Sequence, residues 1–282
     1  MKFFTQKKVR RMFAIAAAVF VLFPQSFVAC DAETSGEAIR FHTAVVGTTA
    51  QGQNAAGFET TKGWTVALTS AHAVFGPIYF YGGEPMAHAT PLERYFSGVV
   101  MACPTHAQYD YGAVLGEVLE QYVVDLLATA PTPTGEVPGV AGICHSAELH
   151  LHPPGDQQLP AGNGQEEFAK LNGYTMVIMG TATKDAQTIP FRVALDIPDE
   201  GTMRIVQNIT ADVTLDDTSA PSGSVVVEIL LDAWFDPVDF SSLTETDGEG
   251  NYLFNDGTQA KTALLQAVRN RYSYRVKWSE QQ

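Results

Sequence analysis

The segment AGICHSAELHLHPPG, residues 141–155, holds three of the chain's seven histidines and one of its three cysteines. Imidazole nitrogen ligates copper, zinc and iron and suits those ions better than magnesium or calcium. Read as a strand, the segment alternates between two faces. His145, Ala147, Leu149 and Leu151 then form a core-facing set, while Cys144, Ser146, Glu148, His150 and His152 form a polar face. Two histidines two apart on a strand have Cα atoms about 6.5 Å apart, close enough to chelate one ion. Glu148 is the candidate third ligand. The plainer alternative is a solvated strand face running into Pro153-Pro154.

His145 is excluded from that pair. Five to seven strand residues separate it from His150 and His152, roughly 16–23 Å, and it points the other way. Its candidate partner is His106. A disulfide between Cys103 and Cys144 would hold their Cα atoms within about 7 Å. That would bring CPTH (103–106) beside CH (144–145), with Asp110 and His88 in the neighbouring chain. His72 shares an apolar face with Trp64, Val66, Leu68 and Val74 if its strand alternates regularly. It is then either a buried histidine satisfied by Tyr, Asp or backbone, or a further ligand. His42, between Phe41 and Thr43, reads as structural. The candidate metal ligands are therefore His106, His145, His72, His150 and His152.

Whether the cysteines are thiolates or a disulfide depends on the compartment. The chain opens MKFFTQKKVRRMFAIAAAVFVLFPQSFVAC, with five basic residues, no acid, and an apolar run from Met12 to Phe23. This is the layout of a secretory signal peptide, and the run is too short to span a membrane with ease. Phe27-Val28-Ala29-Cys30 resembles the lipobox of bacterial lipoprotein precursors, with Phe27 where Leu is most common. The resemblance covers these four residues and the signal layout. It implies that residues 1–29 are removed, that Cys30 is lipidated, and that 30–37 tethers the protein to a bacterial envelope membrane. Facing the periplasm and facing the cell surface both remain open. Arg10-Arg11-Met12-Phe13 also resembles part of a twin-arginine export signal, which leaves the export route open. One acyl chain binds a membrane only marginally and several anchor stably.

With Cys30 assigned to the anchor, Cys103 and Cys144 remain, and an even pair outside the cytoplasm is most simply a disulfide. It would close a loop of about 40 residues, for which chain entropy gives roughly 4 kcal/mol. Both thiolates acting as ligands is the alternative. Residues 1–29 carry five of the 17 Lys and Arg and none of the 31 Asp and Glu. The remainder has 12 basic and 31 acidic residues, a formal charge of −19. Such a surface excludes nucleic acid as a partner and attracts cations.

The elements that must position these residues read as β. Segments 39–48, 63–81, 173–183, 190–197, 202–215 and 223–235 are rich in β-branched and aromatic residues between Gly, Pro, Asp or Asn. TAPTPTGEVPG (129–139) and 152–167 read as loops, and the second half of 114–128 as a strand. Ala260, Ala263, Leu264, Ala267 and Val268 follow helical spacing behind the capping candidates Asp256 and Thr258, so 259–270 is a helix. A last half-buried strand follows in YSYRVKW. The expected fold is an all-β sandwich, immunoglobulin-like or jelly-roll-like, over 38–282 with one C-terminal helix.

No Gly-x-Ser-x-Gly elbow, His-Glu-x-x-His helix or phosphate-binding Gly loop is present, so the sequence leans away from an enzyme. TETDGEGNYLF (244–254) fails as an EF-hand, because aligning its glycine puts Leu243 and Phe254 at the first and last ligand positions. The leading expectation is an envelope lipoprotein that binds copper, zinc or iron through histidines. The alternative is a structural or interaction lipoprotein that engages an envelope protein or glycan without metal. Cys30→Ser is expected to release the protein from the membrane fraction or leave an unprocessed precursor. Unchanged fractionation, with no lipid mass on the wild type, contradicts the anchor.

Overall fold

Period-two alternation governs most of the chain, and it is realised as strands in the computed structural model, which describes residues 34–85, 112–155, 165–216 and 223–280. Cys30, His88, Cys103, His106 and Asp110 lie outside the described residues. The first strands are β1 (Thr34–Thr48), β2 (Gly57–Glu59), β3 (Thr65–Phe75), β4 (Ile78–Tyr81), β5 (Val114–Val118) and β6 (Tyr122–Asp125). Then come the long β7 (Thr132–His150), helix α1 (Gln165–Leu171), β8 (Met176–Lys184), β9 (Gln187–Leu195) and β10 (Ile205–Leu215). The chain ends with β11 (Gly223–Leu230), α2 (Leu231–Phe235), β12 (Tyr252–Leu253), α3 (Gln259–Val268) and β13 (Tyr274–Glu280).

These strands form two sheets. The second is open, in the order β12-β9-β8-β3-β2, with β6 also on β3. The first runs β1-β11-β13-β10-β7-β4-β5, and β7 pairs back onto β1. Closure comes from the length of β7. Its first part, Thr132 to Gly142, pairs antiparallel with β1, and its second part, Gly142 to His150, pairs with β10. The all-β expectation holds. In place of two open sandwich sheets, however, β1, β11, β13, β10 and β7 close on themselves in a barrel-like ring.

Both sheets feed one apolar core. Phe41 and Phe80 meet edge to face at 5.8 Å on the first sheet. Phe191 of the second sheet packs at 5.0 Å on Phe240 and 5.6 Å on Phe235, and Trp64 packs at 5.5 Å on Phe240. A smaller apolar cluster of Val74, Val177 and Leu171, with Phe168, lies where α1 packs on β3 and β8.

Several local expectations change. In the 129–139 stretch, Thr132 onward is strand, not loop. Pro133 and Pro138 are tolerated because, among the described residues, the flank away from β1 has no strand partner until Gly139 meets Gly116. The 63–81 stretch is two strands, β3 in one sheet and β4 in the other, divided at Gly76-Pro77. The 223–235 stretch leaves the sheet at Leu230, where Leu231, Trp234 and Phe235 take helical spacing and bury together. In 114–128 both halves are strands. The C-terminal helix is present, with Thr258 as N-cap accepting from Lys261 N at 3.3 Å.

Gly116 shows how tightly the closed sheet packs. A Cβ there would lie 2.5 Å from Phe41 Cζ and 2.8 Å from Cε1. Gly116→Ala is expected to cost about 1–3 kcal/mol through overpacking, read as a lowered urea midpoint with an unchanged slope.

Candidate metal centre

Two chain segments fix the last residues of β7. His150 N donates to Pro77 O at 2.9 Å, Gly76 N donates to His150 O at 3.0 Å, and Leu151 N donates to Arg204 O at 2.7 Å. With the backbone pinned on both flanks, alternation puts Leu149 and Leu151 in the core and Glu148, His150 and His152 on the opposite face. Tyr79 of β4 lies directly across from Glu148 in the ladder. Its ring centroid is 5.6 Å from that of His150.

The other neighbour of Glu148 is an irregularity. Register between β10 and β7 shifts from Val206↔Leu149 to Ile209↔Ala147, so Gln207 and Asn208 together oppose Glu148. Asn208 takes φ 61, a conformation Asn tolerates better than most residues. Gln207 Nε2 donates to Glu148 Oε2 at 3.1 Å.

These contacts make a linear arrangement. Glu148 Oε1 lies 2.7 Å from His150 Nε2, and His150 Nδ1 lies 3.3 Å from His152 Nε2. Glu148 and His150 side chains are 9% and 15% exposed, so the carboxylate is held away from water. A buried carboxylate favours the ring tautomer whose Nε2–H donates to it, leaving the Nδ1 lone pair directed at His152. A tetrahedral ion with bonds of 2.0–2.1 Å holds two nitrogens about 3.3–3.4 Å apart. The observed separation is thus compatible either with a shared proton or with a shared ion.

Glu148 is not the third ligand that the spacing suggested. It engages the ring nitrogen opposite the one facing His152. Among the described residues, no group of three His, Cys, Asp or Glu is placed to hold one ion. Two imidazole nitrogens and an orienting carboxylate are what this face supplies.

The remaining candidates fall elsewhere. His145 Nδ1 lies 3.4 Å from Glu84 Oε1, and its convergence with His106 involves a residue outside those described. His72 is not on the Trp64–Leu68 face. A register shift between Leu68 and Ser70 reverses the strand, so Ala71, Ala73 and Phe75 join the core beside Val66 and Leu68. His72 is partly buried on the other face, cross-strand from Asp125 and Val177, with its Nδ1 buried and unbonded among the described residues. His42 sits in the β1 ladder between Ser224 and Glu136.

Cys144 also departs from the polar face assigned to it. It is fully buried in the core opposite Val213, and so is Ala147 three residues on, so β7 changes parity across His145 and Ser146. Among the described residues Cys144 has no disulfide partner, and its Sγ lies 3.4 Å from Ser146 O. Burial pushes the thiol up to about 12, which disfavours the thiolate a metal would need. Cys103 is outside the described residues, and with it the pairing it would make. Ser146 Oγ donates to Gly83 O at 2.7 Å, so residues 83–84, just before the 86–111 stretch, are held beside Cys144 and His145.

Sequence reasoning missed Gln207 and Tyr79. The one local hint for Gln207 was the following Asn, a residue that favours a positive φ. Tyr79 meets the site only because β4 lies beside β7.

No family model matches the sequence, and no curated protein matches it. Among solved structures, MbnP from Methylosinus trichosporium aligns with 81% of this chain over 87% of its own, at a TM-score of 0.43 and 9% identity. That likeness is too distant to bear on the site.

Maleimide at pH 8 is expected to leave Cys144 unlabelled in the native protein, because the thiol is covered and burial keeps it protonated. Rapid native-state labelling contradicts its placement in the core.

Proposed function

We propose that this protein is an exported, lipid-anchored envelope protein that binds one transition-metal ion, copper, zinc or iron, between His150 Nδ1 and His152 Nε2. Cys30 is its membrane anchor, and residues 1–29 direct its export. Glu148 is the orienting carboxylate and Gln207 its hydrogen-bond support. The observation that carries the reading is the 3.3 Å separation of the two ring nitrogens at the end of a carboxylate–imidazole hydrogen bond. Burial of Glu148 adds to it. Among the described residues His150 is the titratable group paired with this carboxylate. A neutral ring leaves the negative charge poorly compensated, and a cation on the far nitrogen supplies the missing charge. Water or another segment completes the coordination shell.

A second reading, an interaction lipoprotein that binds a protein or glycan partner without metal, is favoured by a separate observation. The His150–His152 contact satisfies both facing nitrogens with one proton, and the described residues offer no third ligand.

Calorimetric titration of copper and zinc separates the two. The wild type is expected to bind one ion, and the double variant His150→Ala, His152→Ala to bind none. The double variant His106→Ala, His145→Ala keeps the site. Glu148→Gln is expected to weaken binding by roughly 10–100-fold. Affinity falls as pH falls, because each ligating nitrogen must be deprotonated. Binding retained without His150 and His152 contradicts the site, and no binding by the wild type supports the second reading.

A further inference from the structure

The segment that carries His152 has an unusual anchoring problem. His152 lies just beyond the last ladder residue and is followed by Pro153-Pro154, two residues with no N–H to donate. Strand pairing therefore cannot continue past the Leu151 bridge to Gly76. The turn that follows His152 is therefore held by contacts outside the ladder.

One such contact comes from Gln121. It sits on the short connection between β5 and β6 and is fully buried. Its Nε2 donates to Pro153 O at 3.2 Å, and its Oε1 accepts from Gly155 N at 3.2 Å. One amide thus uses its donor and its acceptor on either side of Pro154. The connection is itself fixed, because Glu120 O fills the space where a side chain on Gly76 would stand. Gly76 in turn bonds His150 O and bridges Leu151. The backbone under His150 and the anchor beyond His152 therefore rest on one packed junction of residues 76–77, 120–121 and 150–155.

We infer that Gln121 is a positioning residue of the His150–His152 centre, acting through the 153–155 turn to hold His152 at chelating distance. The inference rests on the proposed metal reading for its consequence, but the positional part is independent of any ion. A Met in place of Gln121 keeps the volume and removes both hydrogen bonds.

The test compares wild type with Gln121→Met in three measurements. In the apo protein, Gly155 amide exchange is expected to accelerate at least tenfold and the His150–His152 ring cross-relaxation peak to disappear. With copper(II) sulfate, the wild-type electron paramagnetic resonance spectrum is expected to show two imidazole nitrogens and the variant one, with affinity at least tenfold weaker. The thermal midpoint serves as control, since a purely structural role lowers it without changing the number of bound imidazoles. Unchanged Gly155 exchange and an intact ring contact overturn the inference, whatever the metal result. If the wild type binds no copper or zinc, the proposed function fails, and the two apo measurements still decide whether Gln121 positions His152.

Discussion

One strand determines how this molecule closes and where its chemistry falls. β7 spends 19 residues in the first sheet, pairing with β1 through its first part and with β10 through its second. A shorter strand would leave β1 and β10 as open edges. The double pairing also forces β7 through a change of parity near Cys144, and its far end emerges where the other sheet hands the chain over. Two of the crossings between sheets, β3 into β4 at Gly76-Pro77 and β5 into β6 at Glu120-Gln121, pass beside that end. His150 is therefore held by the backbone of Gly76 and Pro77, with Leu151 beside it bonded to Arg204, the kind of support that keeps a ligand geometry fixed.

The same end carries the charge problem that gives the site its chemistry. Glu148 is a buried carboxylate whose two oxygens are taken by an imidazole and an amide. Each hydrogen bond lowers the cost of burying the charge, and neither cancels it. A proton or a metal ion shared by the two rings completes the compensation. In the proposed reading, the carboxylate is the origin of a cation preference and the imidazoles set which cations fit. The strongly acidic surface of the chain beyond residue 29 adds a general attraction for cations, screened within about 8–10 Å at physiological salt.

Much of this was legible in the sequence, for identifiable reasons. Glu148, His150 and His152 share a face because alternation is undisturbed from Ala147 onward, and period two needs no tertiary information. The helix at Gln259–Val268 was legible because its cap and its apolar stripe are both local. Cys144 and His72 were assigned to the wrong faces because each lies beyond an irregularity that only the partner strand creates. TAPTPTGEVPG read as a loop because Pro and Gly usually break strands, yet pairing with β1 along one flank is enough to order it. Tyr79 and Gln121 were invisible, and Gln207 was hinted at only by the Asn after it, since each reaches the site from 30 or more residues away through a ladder, a buried amide or a bulge. Closure of the sheet was likewise hidden, because no local pattern says that one strand will pair twice.

The most direct test of the central claim is anomalous diffraction from crystals of the protein soaked with copper or zinc, recorded at the metal edge. The account predicts one strong peak about 2.0–2.1 Å from both His150 Nδ1 and His152 Nε2, with Glu148 still bonded to His150 Nε2. An ion bound at another place, or none while the two rings keep their direct hydrogen bond, would contradict it.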